Sequence, residues 1–115
     1  NENSIVSVVS YSNFSVMFTG DITSEAEERL IEAYGLSLRT KILTVPHHGS
    51  KYSSSEEFLA MVSPEISVIS VGKNSYGHPA DAVLDKLLKY GNVLTTQTLG
   101  EIEFITDGVE TEQVK

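Results

Sequence analysis

The sequence predicts an α/β fold, in which a mixed sheet is flanked by helices. Short runs rich in β-branched and aromatic residues alternate with stretches that repeat apolar residues at helical spacing. Such alternation favours parallel neighbouring strands connected by right-handed helical crossovers. Expected hairpins at both ends of the chain add antiparallel strands, which makes the sheet mixed. The 115 residues suit a single domain, residues 1–115.

The strands are predicted from short apolar runs that turn residues bound. The first two runs form a hairpin, because only Ser12 and Asn13 separate them. Asp107 and Gly108 predict a turn after the last run. The runs are Ile5–Tyr11, Phe14–Thr19, Ile42–Val45, Ile66–Val71, Val93–Thr96 and Ile102–Thr106.

Capping boxes predict where the first two helices begin. In each, a serine side chain caps the helix and a glutamate one turn later bonds back to the serine backbone. The pairs are Ser24 with Glu27 and Ser54 with Glu57. A third helix is expected to carry Pro79 in its first turn, where proline is well tolerated. The three helices are expected to end at Gly35, before Pro64 and at Gly91.

Composition and charge exclude several classes of protein. Without cysteine, the chain has no disulfide, no thiolate metal site and no cysteine nucleophile. Its net charge of −8 argues against a nonspecific nucleic-acid-binding module, because such a surface repels phosphate over long range. A cluster of metal ions would supply the positive charge that phosphate chemistry needs.

The sequence also bears on targeting. No apolar run approaches the roughly 20 residues that span a bilayer, so we expect no membrane insertion by this segment and a chain that is soluble alone. The first residues, NENSIVSVVSYSN, have neither the positive region nor the apolar core of a signal peptide. The chain does not begin with Met, so we expect it to be a piece of a longer protein.

Polar residues that suit metal or phosphate chemistry follow three successive predicted strands. In open α/β sheets, ligands bind outside the carboxyl ends of the strands, so these residues are expected to converge on one edge. One carboxylate and three imidazoles suit zinc or manganese. The residues are Asp21, His47, His48, Asn74, Tyr76 and His78.

Simpler interpretations remain open for some of these residues. Asp21 also suits a helix cap or a turn, and His78 before Pro79 also suits an ordinary loop. Two adjacent histidines are harder to explain in this way, because both would be costly to bury unpaired. Gly72-Lys73 lacks the remainder of a phosphate-binding loop, and Ser50 lacks the GxSxG setting of a hydrolase nucleophile.

Four segments, taken in order, carry a resemblance to a known family. They are NENSIV, FTGD, VPHHGSKYSSS and ISVGKNSYGHP. The sequence resembles the C-terminal half of the metallo-β-lactamase-like domain of ComEC-type DNA-internalisation competence proteins. The resemblance runs from Asn1 to about Gly108. Teichoic-acid phosphorylcholine esterases share the TGD and HHGS segments.

The resemblance implies half of an αβ/βα sandwich with two divalent metal ions, zinc or manganese, at one edge. It places Asp21 as the carboxylate that bridges the metals and His48 as a ligand of the second metal. It places His47 and His78 as catalytic groups that face the substrate phosphate, although it leaves open which adjacent histidine is the ligand. It also implies, more weakly, that three further residues line the site: Asn3, Ser4 and Ser50.

The function implied is phosphodiester hydrolysis, as a phosphodiesterase or nuclease that acts on incoming DNA during competence. The implied location is the extracytoplasmic side of the cytoplasmic membrane, within a larger membrane protein. Two alternatives stay open. The chain could be a noncatalytic interaction module that keeps the fold, or part of a hydrolase that acts on phosphorylcholine esters.

One part of the family pattern is missing from this sequence. The HxHxDH motif, which supplies most of the family's metal ligands, does not occur here. We therefore expect the isolated chain to be inactive and to hold no metal tightly. The expected partners are the N-terminal half of the same domain and a DNA or other phosphodiester substrate. An isolated half would expose one face of its sheet, so self-association is also expected.

Overall fold

A computed structural model describes residues 4–115, and its main feature is a five-stranded mixed sheet. The strands lie in the order β1-β2-β3-β4-β5. β1 and β2 form an antiparallel hairpin, and β2 to β5 are all parallel. Their bounds are β1 Ser7–Tyr11, β2 Phe14–Phe18, β3 Ile42–Thr44, β4 Ile66–Ile69 and β5 Asn92–Thr95. The prediction of an α/β fold with a mixed sheet is confirmed, and the arrangement is compatible with an α/β sandwich.

Three helices connect the parallel strands: α1 (Ser24–Tyr34), α2 (Glu56–Val62) and α3 (Asp81–Leu88). Because each crossover joins adjacent strands in the same spatial direction, right-handed connections place all three helices on one face of the sheet. The core lies between the helices and this face. Its fully buried members include Met17, Leu43, Phe58, Leu59, Val83 and Leu87.

The opposite face of the sheet is also apolar. Val9, Val16, Ile42 and Ile66 lie in register across β1 to β4 on this face. Ile42 is buried, but Val9 is 53% exposed and Phe18, which shares the face, is 45% exposed. The outer end of the sheet therefore presents apolar side chains to solvent on the side away from the helices.

The prediction that β5 continues into a terminal hairpin is wrong. β5 ends at Thr95, and the Thr95 hydroxyl accepts a hydrogen bond from the backbone N–H of Thr98 at 3.2 Å. This cap begins a single helical turn, α4 (Thr96–Leu99). Thr95 and Thr96, which were predicted to end a strand, therefore form the N-cap and the first residue of α4.

The last strands form a separate two-stranded sheet. β6 (Phe104–Thr106) pairs antiparallel with β7 (Thr111–Gln113), a strand that the sequence pattern did not predict. The turn expected at Asp107-Gly108 lies between them, where Asp107 accepts hydrogen bonds from two following backbone N–H groups. The Gly108 carbonyl accepts a hydrogen bond from Asn13 N–H at 2.6 Å, which joins this sheet to the β1–β2 turn.

The predicted capping box of α1 is also wrong. Thr23, not Ser24, is the N-cap residue, and it makes no side-chain capping bond. Glu27 is fully buried and accepts hydrogen bonds from the backbone N–H groups of Ser54 and Ser55, at 2.5 and 2.9 Å. Glu27, which was predicted to cap α1, therefore accepts hydrogen bonds from the residues that precede α2.

The start of α2 lies later than predicted. The N-cap is Ser55, whose hydroxyl accepts a hydrogen bond from Phe58 N–H at 3.2 Å. Ser54 is unsuited to this role, because its φ of 61° lies in the left-handed region, whereas an N-cap residue has an extended backbone. No helix in residues 4–115 is both long enough and apolar enough to cross a membrane.

Candidate functional site

The predicted site residues do converge on one edge of the sheet. β2, β3 and β4 are parallel, so the loops that follow them leave from the same edge. These loops carry Asp21, the His47-His48 pair and His78. Ser4 reaches this edge because it precedes the antiparallel β1, and its hydroxyl accepts a hydrogen bond from Asp21 N–H at 3.2 Å. Asn3, which was expected to line the site, lies outside the described residues.

Asp21 and His48 form the centre of this edge. The Asp21 Oδ1 and His48 Nε2 atoms are 3.6 Å apart, and both side chains are about half exposed, at 46% and 52%. Asp21 lies in a turn and does not cap α1, whose N-cap is Thr23. The carboxylate therefore faces an imidazole instead of a helix terminus.

The second ring nitrogen of His48 shows how the imidazole is oriented. Nδ1 lies 2.6 Å from the backbone carbonyl oxygen of Ser70, which can only accept a hydrogen bond. Nδ1 therefore carries the hydrogen, and in a neutral imidazole Nε2 presents its lone pair towards Asp21. Two acceptors that face each other suit a cation between or beside them, and a carbonyl bond behind the imidazole is typical of metal-ligating histidine.

The backbone around the paired histidines has an unusual conformation. His47 and His48 have φ values of 52° and 56°, in the left-handed region, and Gly49 follows at +83°. Each non-glycine residue there costs on the order of 1–2 kcal/mol, and such outliers cluster at functional sites. Part of this turn is held by His47 N–H, which donates to the Gly20 carbonyl at 2.9 Å. The turn thus places both imidazoles at the edge at the expense of local strain.

The two histidine-bearing loops contact each other at Gly49. A Cβ atom on Gly49 would lie 2.6 Å from the Cβ atom of Pro79 and 2.9 Å from its Cα atom. Both distances are shorter than nonbonded carbon atoms allow. The Gly49 carbonyl accepts a hydrogen bond from Ala80 N–H at 2.9 Å. Pro79 was expected in the first turn of α3, but Ala80 is the N-cap residue and Pro79 precedes it. Pro79 instead packs against the other loop.

His47 and His78 lie together beside the first pair. Their ring centroids are 5.6 Å apart, whereas the His47 and His48 centroids are 6.4 Å apart. The Nδ1 atom of His47 is buried and has no hydrogen-bond partner among the described residues. An unpaired buried nitrogen at this position is suited to a ligand that the chain itself does not supply.

Asn74 fixes the shape of the loop that carries His78. Its side-chain nitrogen donates to the carbonyls of Gly72 and His78, at 2.9 and 2.8 Å. Its side-chain oxygen accepts from the N–H groups of Tyr76 and His78, at 3.0 and 3.1 Å. One side chain therefore closes the loop on itself, which explains why an asparagine follows this strand.

Ser50 has a different environment from the other candidates. It is 2% exposed, and its hydroxyl accepts a hydrogen bond from Tyr52 N–H at 3.2 Å. Its contacts lie within the turn that follows the histidines.

A cleft of about 470 Å³ opens beside His48. Its lining includes Lys73, Tyr76, His78 and Thr96. Thr96 Oγ1 donates to the Val71 carbonyl and accepts from the Val71 N–H, which fixes the start of the loop. In the sequence, Lys73 stood out only as part of an incomplete phosphate-binding loop. The Ser70 carbonyl is a backbone group and leaves no residue-type signal, and Thr96 was assigned only to a predicted strand.

The donor set fits part of a metal site. Carboxylate and neutral imidazole are donors that zinc and manganese accept, and Asp21 and His48 supply one of each. Between residues 4 and 115, no group of three or more His, Cys, Asp or Glu side chains is placed to hold a metal ion. Further ligands would have to come from outside these residues to complete a coordination shell.

Comparisons with known proteins support a relationship to the ComEC-type competence proteins. No protein-family profile matches the chain. The chain is 40% identical over 92 residues to Competence protein ComA of Neisseria gonorrhoeae, covering 78% of this chain and 13% of that protein. It is 35% identical over 106 residues to ComE operon protein 3 of Bacillus subtilis, covering 90% and 14%. It is 32% identical over 119 residues to Recombination protein 2 of Haemophilus influenzae, covering 100% and 15%.

The matches span most of this chain but only 13–15% of the length of these relatives. One of these relatives is named as a competence protein. The chain is related in sequence to a short segment of the ComEC-family competence proteins.

Proposed function

We propose that this chain forms one side of a binuclear, metal-dependent phosphodiesterase site within a longer protein that acts on incoming DNA during competence. The observation that carries the proposal is the approach of Asp21 Oδ1 to His48 Nε2, which lie 3.6 Å apart. The Ser70 carbonyl fixes the imidazole in the orientation that a ligand needs. The names of the relatives support the competence setting.

Each residue of this edge has a proposed role. Asp21 and His48 hold the metal ions together with ligands from outside the chain. When bound, the ions neutralise phosphoryl oxygens and provide a nucleophile at neutral pH. His47 and His78 face the substrate, where an imidazole N–H donates to a phosphate oxygen or to the leaving group.

The partner in this proposal is the preceding half of the same domain. The apolar face away from the helices, with Val9 and Phe18 exposed, is the surface that this half would cover. As part of a longer membrane-associated protein, the site would lie on the extracytoplasmic side, where incoming DNA is met.

The first test is calorimetric titration with Mn²⁺ and Zn²⁺, of this chain and of the longer protein that contains it. We expect weak binding by the chain, and a dissociation constant of micromolar or lower for the longer protein. Asp21→Ala should abolish the tight binding, because it would remove a carboxylate that could ligate the ions. Asp85→Ala, at an exposed carboxylate on α3, is the matched control and should change nothing.

Hydrolysis is the second test. The longer protein should cleave DNA with Mn²⁺ faster than it cleaves a phosphorylcholine ester, and His48→Ala should abolish cleavage. If the longer protein neither binds metal nor cleaves either substrate, the proposal is wrong and a noncatalytic interaction module is supported. A preference for the phosphorylcholine ester would instead assign the site to that substrate.

A further inference from the structure

We infer that the loop from Gly72 to Pro79 positions a single nucleic-acid strand, with Tyr76 stacking on a base and Lys73 contacting a phosphate next to the hydrolysed bond. The inference rests on the proposed function and deepens it, because it names residues that would hold the substrate. It assigns them a positioning role and no part in the chemical step.

Tyr76 is the most exposed aromatic residue near the candidate site. It is 82% exposed, yet it lines the same cleft as His48 and His78. Its ring centroid is 5.8 Å from that of His78, with 31° between the ring planes. Aromatic side chains beside a charged groove bind single strands by stacking on successive bases. A base on Tyr76 would bring the neighbouring phosphate towards His78.

The loop holds Tyr76 in place before any strand binds. Asn74 makes four hydrogen bonds within the loop, one of them to the Tyr76 backbone N–H. Thr96 fixes the start of the loop, and the Gly49 contact with Pro79 fixes its end. Binding to a preformed platform costs less conformational entropy than ordering a mobile loop.

Lys73 supplies a positive charge in the same cleft. The chain has a net charge of −8 with only 8 basic residues, so a lysine at this position is a local exception to the overall charge. None of the ion pairs found between residues 4 and 115 involves Lys73. Its ammonium group therefore remains available for a phosphate of the strand.

The loop that follows the paired histidines also carries a lysine and a tyrosine, Lys51 and Tyr52, but here the lysine lies over the tyrosine ring. Tyr52 is 67% exposed, but the Lys51 ammonium lies over its ring, 5.3 Å from the centroid. The lysine covers a ring face that a base would need. Tyr76 is therefore the better stacking platform.

The experiment uses the longer protein that contains this chain and two oligonucleotides of equal length. One is oligo(dT), and the other has the same phosphodiester backbone with abasic residues. We expect Tyr76→Ala to lower kcat/KM for oligo(dT) on the order of tenfold and to leave the abasic oligomer unchanged, because one stacked base contributes about 1–3 kcal/mol. Tyr76→Phe keeps the ring and should retain nearly full activity. Tyr34→Ala, at an exposed tyrosine at the end of α1, is the matched control and should have no effect.

Lys73→Gln should act differently from Tyr76→Ala. It should weaken binding of both oligomers and reduce the slope of log affinity against log salt by about 0.7, the contribution of one contact to a single strand. Lys41→Gln, at the opposite edge of the sheet, should leave the slope unchanged.

Equal effects of Tyr76→Ala on oligo(dT) and on the abasic oligomer would overturn the inference while leaving the proposed function intact. If the longer protein cleaves neither oligomer, the proposed function fails. Fluorescence anisotropy in EDTA then tests the inference alone, since stacking still requires that Tyr76→Ala weaken binding of oligo(dT) selectively.

Discussion

At the scale of single residues, some groups of the candidate site can be predicted from the sequence and others cannot. Asp21, His48 and His78 were identified because polar side chains of these types rarely follow three successive apolar strands without a reason. The Ser70 carbonyl was not identified, because every residue has a carbonyl and only the folded geometry selects one. The histidine tautomer, which determines what His48 can bind, follows from that carbonyl.

Glu27 is a buried carboxylate whose contribution is structural. Its two oxygens accept from the N–H groups of Ser54 and Ser55. Glu27→Gln replaces one acceptor with a donor, which leaves one buried N–H unpaired. We expect a loss of about 1–3 kcal/mol in the free energy of unfolding at about pH 5, measured by urea denaturation. Glu28→Gln, at the next and exposed position, should change the midpoint little, and equal losses for both variants would contradict this role.

The same residue predicts a dependence of stability on pH. Burial raises the pKa of Glu27 above its ordinary value of 4.5, although the N–H bonds from Ser55 and Ser54 oppose the shift. Because the pKa of Glu27 is higher in the folded state than in the unfolded state, the protonated side chain stabilises the fold. This contribution to the free energy of unfolding is fully present below pH 4.5 and is lost as pH rises through the raised pKa. The stability difference between the wild type and Glu27→Gln should therefore shrink as pH increases above 4.5. A difference that grows over this range would show that the pKa is lowered instead.

At the scale of elements, the sequence predicted which helices and strands exist better than where they begin and end. The parallel strands and three helices follow from apolar periodicity, which the core enforces. The capping box at Ser24 failed because Glu27 has a stronger use, as the acceptor for the start of α2. The terminal hairpin failed because Thr95 caps a helical turn, and threonine suits both a strand and a cap.

The contact between the two histidine-bearing loops can be tested at Gly49. Gly49→Ala places a side chain at φ +83° and against Pro79. We expect a loss of at least about 1–2 kcal/mol in the free energy of unfolding, from the backbone conformation alone. Gly72→Ala is the matched control, because a Cβ there meets no atom within 4 Å. Thermal denaturation that gave the same midpoint for both variants would show that the contact does not hold the loops.

At the scale of the whole molecule, the distribution of helices leaves an asymmetric sheet. α1, α2 and α3 cover one face, and Val9 and Phe18 stay exposed on the other. The resemblance to half of a sandwich predicted such a face, and the register of β1 to β4 shows which residues form it.

We expect the isolated chain to self-associate through this face. Val9→Lys should shift the chain towards monomer in size-exclusion chromatography with light scattering, because a buried unpaired ammonium opposes the contact. Val109→Lys makes the same change at an exposed valine in the turn between β6 and β7 and should have no effect. A wild-type chain that stays monomeric at high concentration would rule out self-association.

The contact of Gly49 with Pro79 also has an evolutionary consequence. The two residues belong to different sequence segments, yet a side chain at Gly49 would have to displace Pro79. Natural selection should therefore act on them as a pair. Among homologous sequences, a lineage that replaces the glycine should also alter the proline or the residues around it, and the two segments should be inherited or lost together.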